Sequence, residues 1–174
     1  MPRRSILSAA ERASLLLPPD TEDELIRHYA FGETDLSLIR QRRGDANRLG
    51  VAVQLCLLRF PGQGLLPDAS MPMSLLQWIG RQLRIDPSCW PQYAAREETR
   101  REHLLELRAY LGVEPFGLTH YRQAVLATTE LALQTAQGIV LAVSVLDTMS
   151  HRHIILPPVS YHHLTVPPQC RVEI

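Results

Sequence analysis

Apolar side chains recur along the chain at the spacing of amphipathic helices, in short runs separated by proline and glycine. Two of these runs follow a capping-box pattern, Ser8 with Glu11 and Thr21 with Glu24. Predicted helices cover about residues 9–17, 22–31, 36–43, 46 to Pro61 and 119–137, the segment MSLLQWIGRQL, and a long amphipathic segment ending at Gly112.

Proline and glycine divide these helices into two groups. Four of the seven residues that begin at Pro61 are Pro or Gly, which is the composition of a linker. Helix and strand both remain open for residues 139–146, because several are β-branched. From His151 the sequence is rich in proline and histidine, which predicts a poorly ordered segment. The predicted fold is all-α, with two small multi-helix units at 1–62 and 72–150, a linker at 63–71 and an irregular C-terminal tail at 151–174.

Charge is unevenly distributed, although the formal net charge of the 174 residues is zero. Residues 1–35 carry four arginines and seven acids, a formal charge of −3, whereas residues 36–64 carry five arginines and one acid, a formal charge of +4. All 18 cations in the chain are arginine, whose planar guanidinium suits phosphate and guanine. The cluster that predicts phosphate neutralisation is Arg40, Arg42, Arg43 and Arg48.

This basic cluster coincides with the layout of a helix-turn-helix, with a helix near 36–43, a turn at Gly44 and a second helix after it. On the second helix Asn47, Gly50 and Gln54 share one face. Asn and Gln pair with adenine and Arg with guanine, so this face has the chemistry of a DNA reader. We therefore predict phosphate contacts by Arg40, Arg42 and Arg43, and base-edge contacts by Asn47, Arg48 and Gln54.

Other interpretations of the same residues stay open at this point. Arginines at a helix end also complement the helix dipole, and Asn47 also suits a local capping role. A helical protein-interaction module is therefore the alternative to DNA binding. In the helix at 96–108, Arg100 and Arg101 are candidates for a second DNA contact, but Glu97 with Arg101 also fits a self-paired, solvated face.

Cysteine and histidine spacing indicates neither a disulfide framework nor a metal site. The three cysteines are far apart without CxxC spacing, which favours a reducing compartment, and the histidines lack ligand spacing. A secretory signal and an apolar run of bilayer length are both missing, so we predict a cytoplasmic protein without membrane contact. The sequence contains no lysine, so a phosphate-binding GxxxxGK loop is excluded. No stretch of it resembles a nucleophile elbow. No metal, cofactor or catalytic residue is predicted.

Several stretches of the sequence resemble the N-terminal region of Tn3-family transposases. They include MPRRSILSAAERASLLLPPDTEDELIRHYAF, REETRREHLLELRAYLG and HYRQAVLATTELALQTAQGIVLA. The pattern RQRRGxANRLGxAVQLCxLRFPG is too long for a chance match, and the similarity covers about residues 1–147. The resemblance implies a helical region within the DNA-binding part that recognises the terminal inverted repeats of the transposon.

The sequence departs from this family in two ways. Family members continue for many hundreds of residues to an RNase H-like domain with a metal-binding DDE triad, whereas this sequence has 174 residues. After about Asp147 only IILP remains similar to the family. The resemblance thus implies a truncated or frameshifted chain that binds double-stranded DNA at the inverted repeats without catalysis. Pairing with full-length transposase, for example as an inhibitor, and a non-functional remnant are the alternatives.

Overall fold

The computed structural model of the chain describes residues 7–19, 21–65 and 71–156, and these are mostly helical. The helices are α1 (Ala9–Leu16), α2 (Glu22–Tyr29), α3 (Glu33–Arg40), α4 (Asp45–Arg59), α5 (Met73–Leu83), α6 (Trp90–Ala94), α7 (Glu97–Leu111), α8 (Leu118–Ala132) and α9 (Gly138–His151). A 3-10 turn, Pro87–Cys89, precedes α6. Two short strands, β1 (Glu114–Pro115) and β2 (Ile154–Ile155), pair in parallel. The predicted all-α class is confirmed.

The first two helices begin where the capping patterns predict. At α1 the box is complete, because the Ser8 N–H donates to Glu11 Oε2 at 2.7 Å and the Glu11 N–H donates to Ser8 Oγ at 3.2 Å. At α2 the Thr21 hydroxyl instead donates to the Glu24 carboxylate at 2.8 Å and caps no backbone group. A capping-box sequence therefore marks both starts, although only the first forms the reciprocal hydrogen bonds.

Helix α4 lies at the centre of the fold. Ten consecutive residues, Leu49 to Leu58, are buried, so this part of α4 has no solvent-facing side. Helices α2, α3, α5, α6 and α7 all pack against it. The Tyr93 ring of α6 occupies the space that a side chain at Gly50 would need. Glycine at this position therefore lets α6 approach the α4 backbone closely.

A buried carboxylate joins α3, α4 and α7. Asp35, only 3% exposed, accepts hydrogen bonds from Arg59 Nη1 at 2.9 Å and Nη2 at 2.6 Å. The Tyr110 hydroxyl donates to the same carboxylate at 2.8 Å, and the Gly32 N–H at 2.9 Å. Burial by itself would raise the pKa of Asp35, but these donors and the charge of Arg59 lower it below its usual value.

The largest hydrophobic core takes side chains from both sides of the predicted linker at 63–71. Leu49 and Leu55 of α4 belong to the same buried cluster as Leu75 and Ile79 of α5. The helices assigned to the two predicted units therefore share one core. The division of the chain into two units joined by a linker at 63–71 stays a prediction.

The segment for which helix and strand competed, residues 139–146, is helical and lies within α9. Helix α9 packs against α8, and its buried Met149 meets Ala124 of α8 in a second, smaller core. Val145 and Leu146 pack against the same cluster. Burial on one face of a helical hairpin thus decides the conformation over the β propensity of the branched side chains.

The prediction of a poorly ordered tail from His151 is wrong for the residues up to 156. Ile154, Ile155 and Leu156 are buried, and their apolar side chains join the two cores. The Phe116 N–H donates to the Ile155 carbonyl at 3.2 Å, and the Leu156 N–H donates to the Gly62 carbonyl at 2.8 Å. The remainder of the predicted tail, 157–174, lies outside the described residues.

Candidate nucleic-acid interface

The basic cluster lies where α3 ends and α4 begins, as the sequence predicts. We call residues 40–48 the arginine turn. Gly44 is its left-handed residue, with φ of +80°, a conformation that glycine adopts without strain. Arg40 and Arg43 are exposed, and none of the described carboxylates lies within ion-pair distance of either. These two guanidinium groups are available to an external anion.

Arg42 has a structural partner. Its Nη2 lies 2.6 Å from Glu106 Oε2 of α7, and the side chain is 20% exposed. Its buried Nε has no hydrogen-bond partner among the described residues. This predicted phosphate contact therefore already ties the arginine turn to α7, and DNA would have to compete with Glu106 for it.

Asn47 and Arg48 stabilise the arginine turn from the first turn of α4. Asn47 Nδ2 donates to the Arg43 carbonyl at 2.9 Å, and Arg48 Nε donates to the Arg42 carbonyl at 2.9 Å. Arg48 also lies 3.5 Å from Asp45, and its side chain is 39% exposed. The Arg48 side chain is thus partly accessible, whereas Asn47 is half-buried and its Oδ1 is buried without a hydrogen-bond partner among the described residues. The hydrogen bonds of both side chains fix the local backbone.

Gln54 does not face solvent, so its predicted base-edge contact is wrong for this conformation. It is 1% exposed, and its Nε2 donates to the Tyr93 hydroxyl and, at 3.0 Å, to the Arg100 carbonyl. Gly50 on the same helical face is also buried. The polar stripe expected on α4 is therefore mostly a contact surface for α6 and α7, and of its three residues only Asn47, in the first turn of α4, is not fully buried.

The buried contact of Gln54 continues to His103 of α7. The Tyr93 hydroxyl lies 3.1 Å from His103 Nδ1, and the two rings stack with an interplanar angle of 10°. Burial lowers the pKa of His103, and the charge of Arg42 lowers it further, against opposing carboxylates. The pKa of the Tyr93 phenol is raised by burial. These polar groups connect the α4 core to α7.

The second predicted DNA contact lies on α7. Arg101 is exposed, whereas Arg100 is half-buried and its carbonyl oxygen accepts the hydrogen bond from Gln54. Sequence reasoning missed a further arginine, Arg84, which lines the same cleft as Arg40. Their separation along the chain left no local pattern that could have brought the two together.

Two further features of the described residues bear on partners. Among residues 7–19, 21–65 and 71–156, no three His, Cys, Asp or Glu side chains are grouped as metal ligands would be. Within the same ranges, none of the helices is both long enough and apolar enough to cross a bilayer. The predictions of no metal and no cofactor stay predictions.

Comparison with known proteins shows that most of this chain is similar in sequence to transposases. The transposase for transposon Tn3926 of Escherichia coli is 59% identical over 157 residues, or 90% of this chain. The transposase for transposon Tn501 of Pseudomonas aeruginosa is 53% identical over 92% of the chain, and that for Tn1546 of Enterococcus faecium is 34% identical over 90%. The matched region spans 16% of the length of each of these relatives.

Residues 6–162 match the family described as a domain of unknown function, DUF4158. The chain belongs to this family, and its similarity to Tn3-family transposases is confirmed.

Proposed function

We propose that this chain binds double-stranded DNA during transposition and recognises the terminal inverted repeats of a transposon. The observation that carries the proposal is the arginine turn, where Arg40 and Arg43 extend from the protein surface without a carboxylate partner among the described residues. Guanidinium groups that lack an internal partner attract backbone phosphates and release counterions on binding. The similarity to transposases supports the same conclusion.

The phosphate contacts in this proposal come first from Arg40 and Arg43. Arg42 contributes if it exchanges Glu106 for a phosphate, which costs the ion pair to α7. The Glu106 side chain is 51% exposed, so water can hydrate its carboxylate when Arg42 turns to a phosphate. Attraction of this kind is independent of DNA sequence and weakens steeply with salt.

Base readout in this proposal is limited to the first turn of α4. Asn47 and Arg48 lie beside the phosphate-binding arginines; Arg48 is partly accessible, and Asn47 is half-buried with its Oδ1 turned away from solvent. To reach a base edge, each would exchange a hydrogen bond to the backbone of the arginine turn for one to the DNA. The N-terminal end of α4 would therefore approach the major groove, as in a helix-turn-helix, while the rest of α4 stays in the core. We assign no catalytic step to these residues.

The test is fluorescence anisotropy with an inverted-repeat duplex and a scrambled duplex at several salt concentrations. Arg43→Ala should weaken binding to both duplexes and reduce the slope of log affinity against log salt by about 1. Arg122→Ala removes the same charge from an exposed position on α8 and should leave both duplexes unaffected.

Three outcomes would contradict the proposal or part of it. If the folded wild-type chain bound neither duplex at low salt, DNA binding would be refuted. If Arg43→Ala and Arg122→Ala behaved alike, the assignment to the arginine turn would be wrong. Equal affinity for the two duplexes would refute recognition of the inverted repeat and leave general DNA binding.

Association with another protein chain, such as full-length transposase, is a second candidate function. Helix α8 and its C-cap residue expose large apolar side chains, among them Leu126 at 72% and the C-cap Leu133 at 86% exposed. Such side chains are typical of protein contact surfaces. Co-purification with a transposase that is lost in Leu126→Ser, with DNA affinity unchanged, would support this role.

A further inference from the structure

A cleft of about 470 Å³ opens between the end of α3, the start of α4 and the end of α5. Arg40, Arg48 and Arg84 line it, with Gln82 and the apolar side chains of Leu36 and Ile39 forming part of the wall. None of the lining residues is acidic. Three cations from three helix ends therefore converge on one concave surface.

The three arginines of this cleft form few ion pairs with the described residues. Arg40 and Arg84 have no carboxylate within ion-pair distance among the described residues. Arg48 lies 3.5 Å from Asp45, and its Nε donates to the Arg42 carbonyl at 2.9 Å. Gln82 belongs to the scaffold, because its Nε2 donates to the Tyr29 carbonyl at 3.0 Å and its Oε1 accepts from the Phe31 N–H at 3.1 Å. Gln82 is thus held in place by backbone groups, while the guanidinium groups of Arg40 and Arg84 remain available to a ligand.

Arginines near helix C-termini often neutralise the last carbonyl groups, and both α3 and α5 end here. The geometry favours a different role for Arg84. At the end of α5 the Gly80 carbonyl accepts the N–H groups of Arg84 and Ile85, so its hydrogen bonds come from the backbone. No side-chain hydrogen bond of Arg84 to a carbonyl is present among the described residues. The Arg84 side chain does not serve as a helix cap.

The backbone conformation at Arg84 is a second unusual feature of this position. Arg84 has φ of +57° and ψ of +46°, the left-handed conformation in which glycine is the favoured residue at a helix end. Gly80 permits this tight reversal, since a Cβ there would lie 2.6 Å from the Ile85 carbonyl oxygen. The chain therefore holds a guanidinium at a position where its backbone conformation favours glycine.

We propose that Arg40, Arg48 and Arg84 together bind one backbone phosphate of DNA in this cleft. In this arrangement Arg48 contacts the phosphate rather than a base edge, and base readout by the first turn of α4 falls to Asn47. This inference rests on the proposed DNA binding and extends the interface from the arginine turn to the end of α5. A phosphodiester presents two anionic oxygens, which matches guanidinium groups arriving from different sides. Bound in this way, a single phosphate bridges segments that are 36 residues apart or more in the sequence and fixes the position of the duplex on the protein.

The test compares Arg84→Gly with Arg81→Ala in the same anisotropy titrations. Arg84→Gly removes the guanidinium and suits the left-handed backbone, so folding should be retained. We expect it to weaken binding to both duplexes by about fivefold at low salt and to lower the salt slope by about 1. Arg81→Ala removes an equal charge from an exposed position of α5 that does not line the cleft and should leave the slope unchanged.

Arg84→Asn is the second neutral variant, because asparagine also tolerates the left-handed region, and it should lose the same affinity. If wild type binds DNA and both Arg84 variants match it in affinity and slope, the cleft proposal is overturned while DNA binding stands. A loss equal to that of Arg81→Ala would also overturn it, since net charge alone would then explain the effect. A wild-type chain that binds no DNA would refute both proposals.

Discussion

Replacing Asp35 by asparagine tests whether the buried carboxylate holds α3, α4 and α7 together. Asparagine has nearly the same shape, so the change removes the negative charge and turns one acceptor oxygen into a donor NH2 group. In either orientation that group would face an N–H of Arg59, together with the Tyr110 hydroxyl at the Oδ1 position or the Gly32 N–H at the Oδ2 position. Unpaired donors would then meet in a buried site.

The loss of folding stability expected for Asp35→Asn depends on how exposed the Asp35 and Arg59 side chains are. Breaking a buried ion pair by removing one partner costs about 3–5 kcal/mol, because the other charge stays uncompensated. The Asp35 side chain is 5% exposed, whereas that of Arg59 is 30% exposed, so water can partly rehydrate the guanidinium. We therefore expect a loss at the lower end, about 3 kcal/mol. For a chain of this size that corresponds to a fall in Tm of about 6–12 °C.

The assay is urea unfolding at pH 7, followed by the helical circular dichroism signal. Glu33→Gln is the matched control, because it removes a carboxylate from an exposed position of the same helix, and it should change stability by less than about 0.5 kcal/mol. A double-mutant cycle with Arg59→Met should recover a coupling of at least about 1 kcal/mol. If Asp35→Asn stayed within about 1 kcal/mol of wild type, the carboxylate would not be the link between these helices.

The remaining predictions concern the contact between α4, α6 and α7. Gly50→Ala should destabilise the chain by about 1–3 kcal/mol because its Cβ would collide with the Tyr93 ring, whereas Gly64→Ala, which meets only ordinary contacts, should not; urea midpoints compare the two. Acidification should also lower stability, since the unfolded chain protonates His103 near its ordinary pKa of about 6.5 while the folded chain binds that proton only at lower pH. The free energy of unfolding should therefore decrease as pH falls from about 7 towards 5, and His103→Gln should flatten this dependence. Equal pH slopes for the two chains would contradict the role of His103.

Local sequence signals predict the fold best where the chain itself carries the start or stop of a helix. Gly44 marks the turn between α3 and α4, and the Ser8 capping box marks α1, because both depend on residues within a few positions of each other. Ile154 and Ile155 escaped prediction because their burial depends on β1, which is distant in sequence. Residues followed by a proline-rich stretch thus proved to be part of the cores.

In the candidate site, too, local sequence patterns could not predict which residues the packed fold buries or brings together. Helical spacing correctly places Gly50 and Gln54 on one face, but it cannot say that Tyr93 will cover that face. Gln54 was therefore assigned to DNA from its chemistry and found in the core. Arg84 could not be joined to Arg40 for the related reason that only the packed fold brings the ends of α3 and α5 together.

Because β1 pairs with β2, the segment that contains helices α8 and α9 starts and ends at neighbouring points of the fold. The polypeptide leaves the helical core at Glu114–Pro115 and returns beside the same point at Ile154–Ile155. Residues 116–153 are thus bracketed by two adjacent attachment points, and their number does not affect the register of α4 or its neighbours. An insertion at the exposed connection around Gln134 would lengthen the hairpin without requiring any core residue to move.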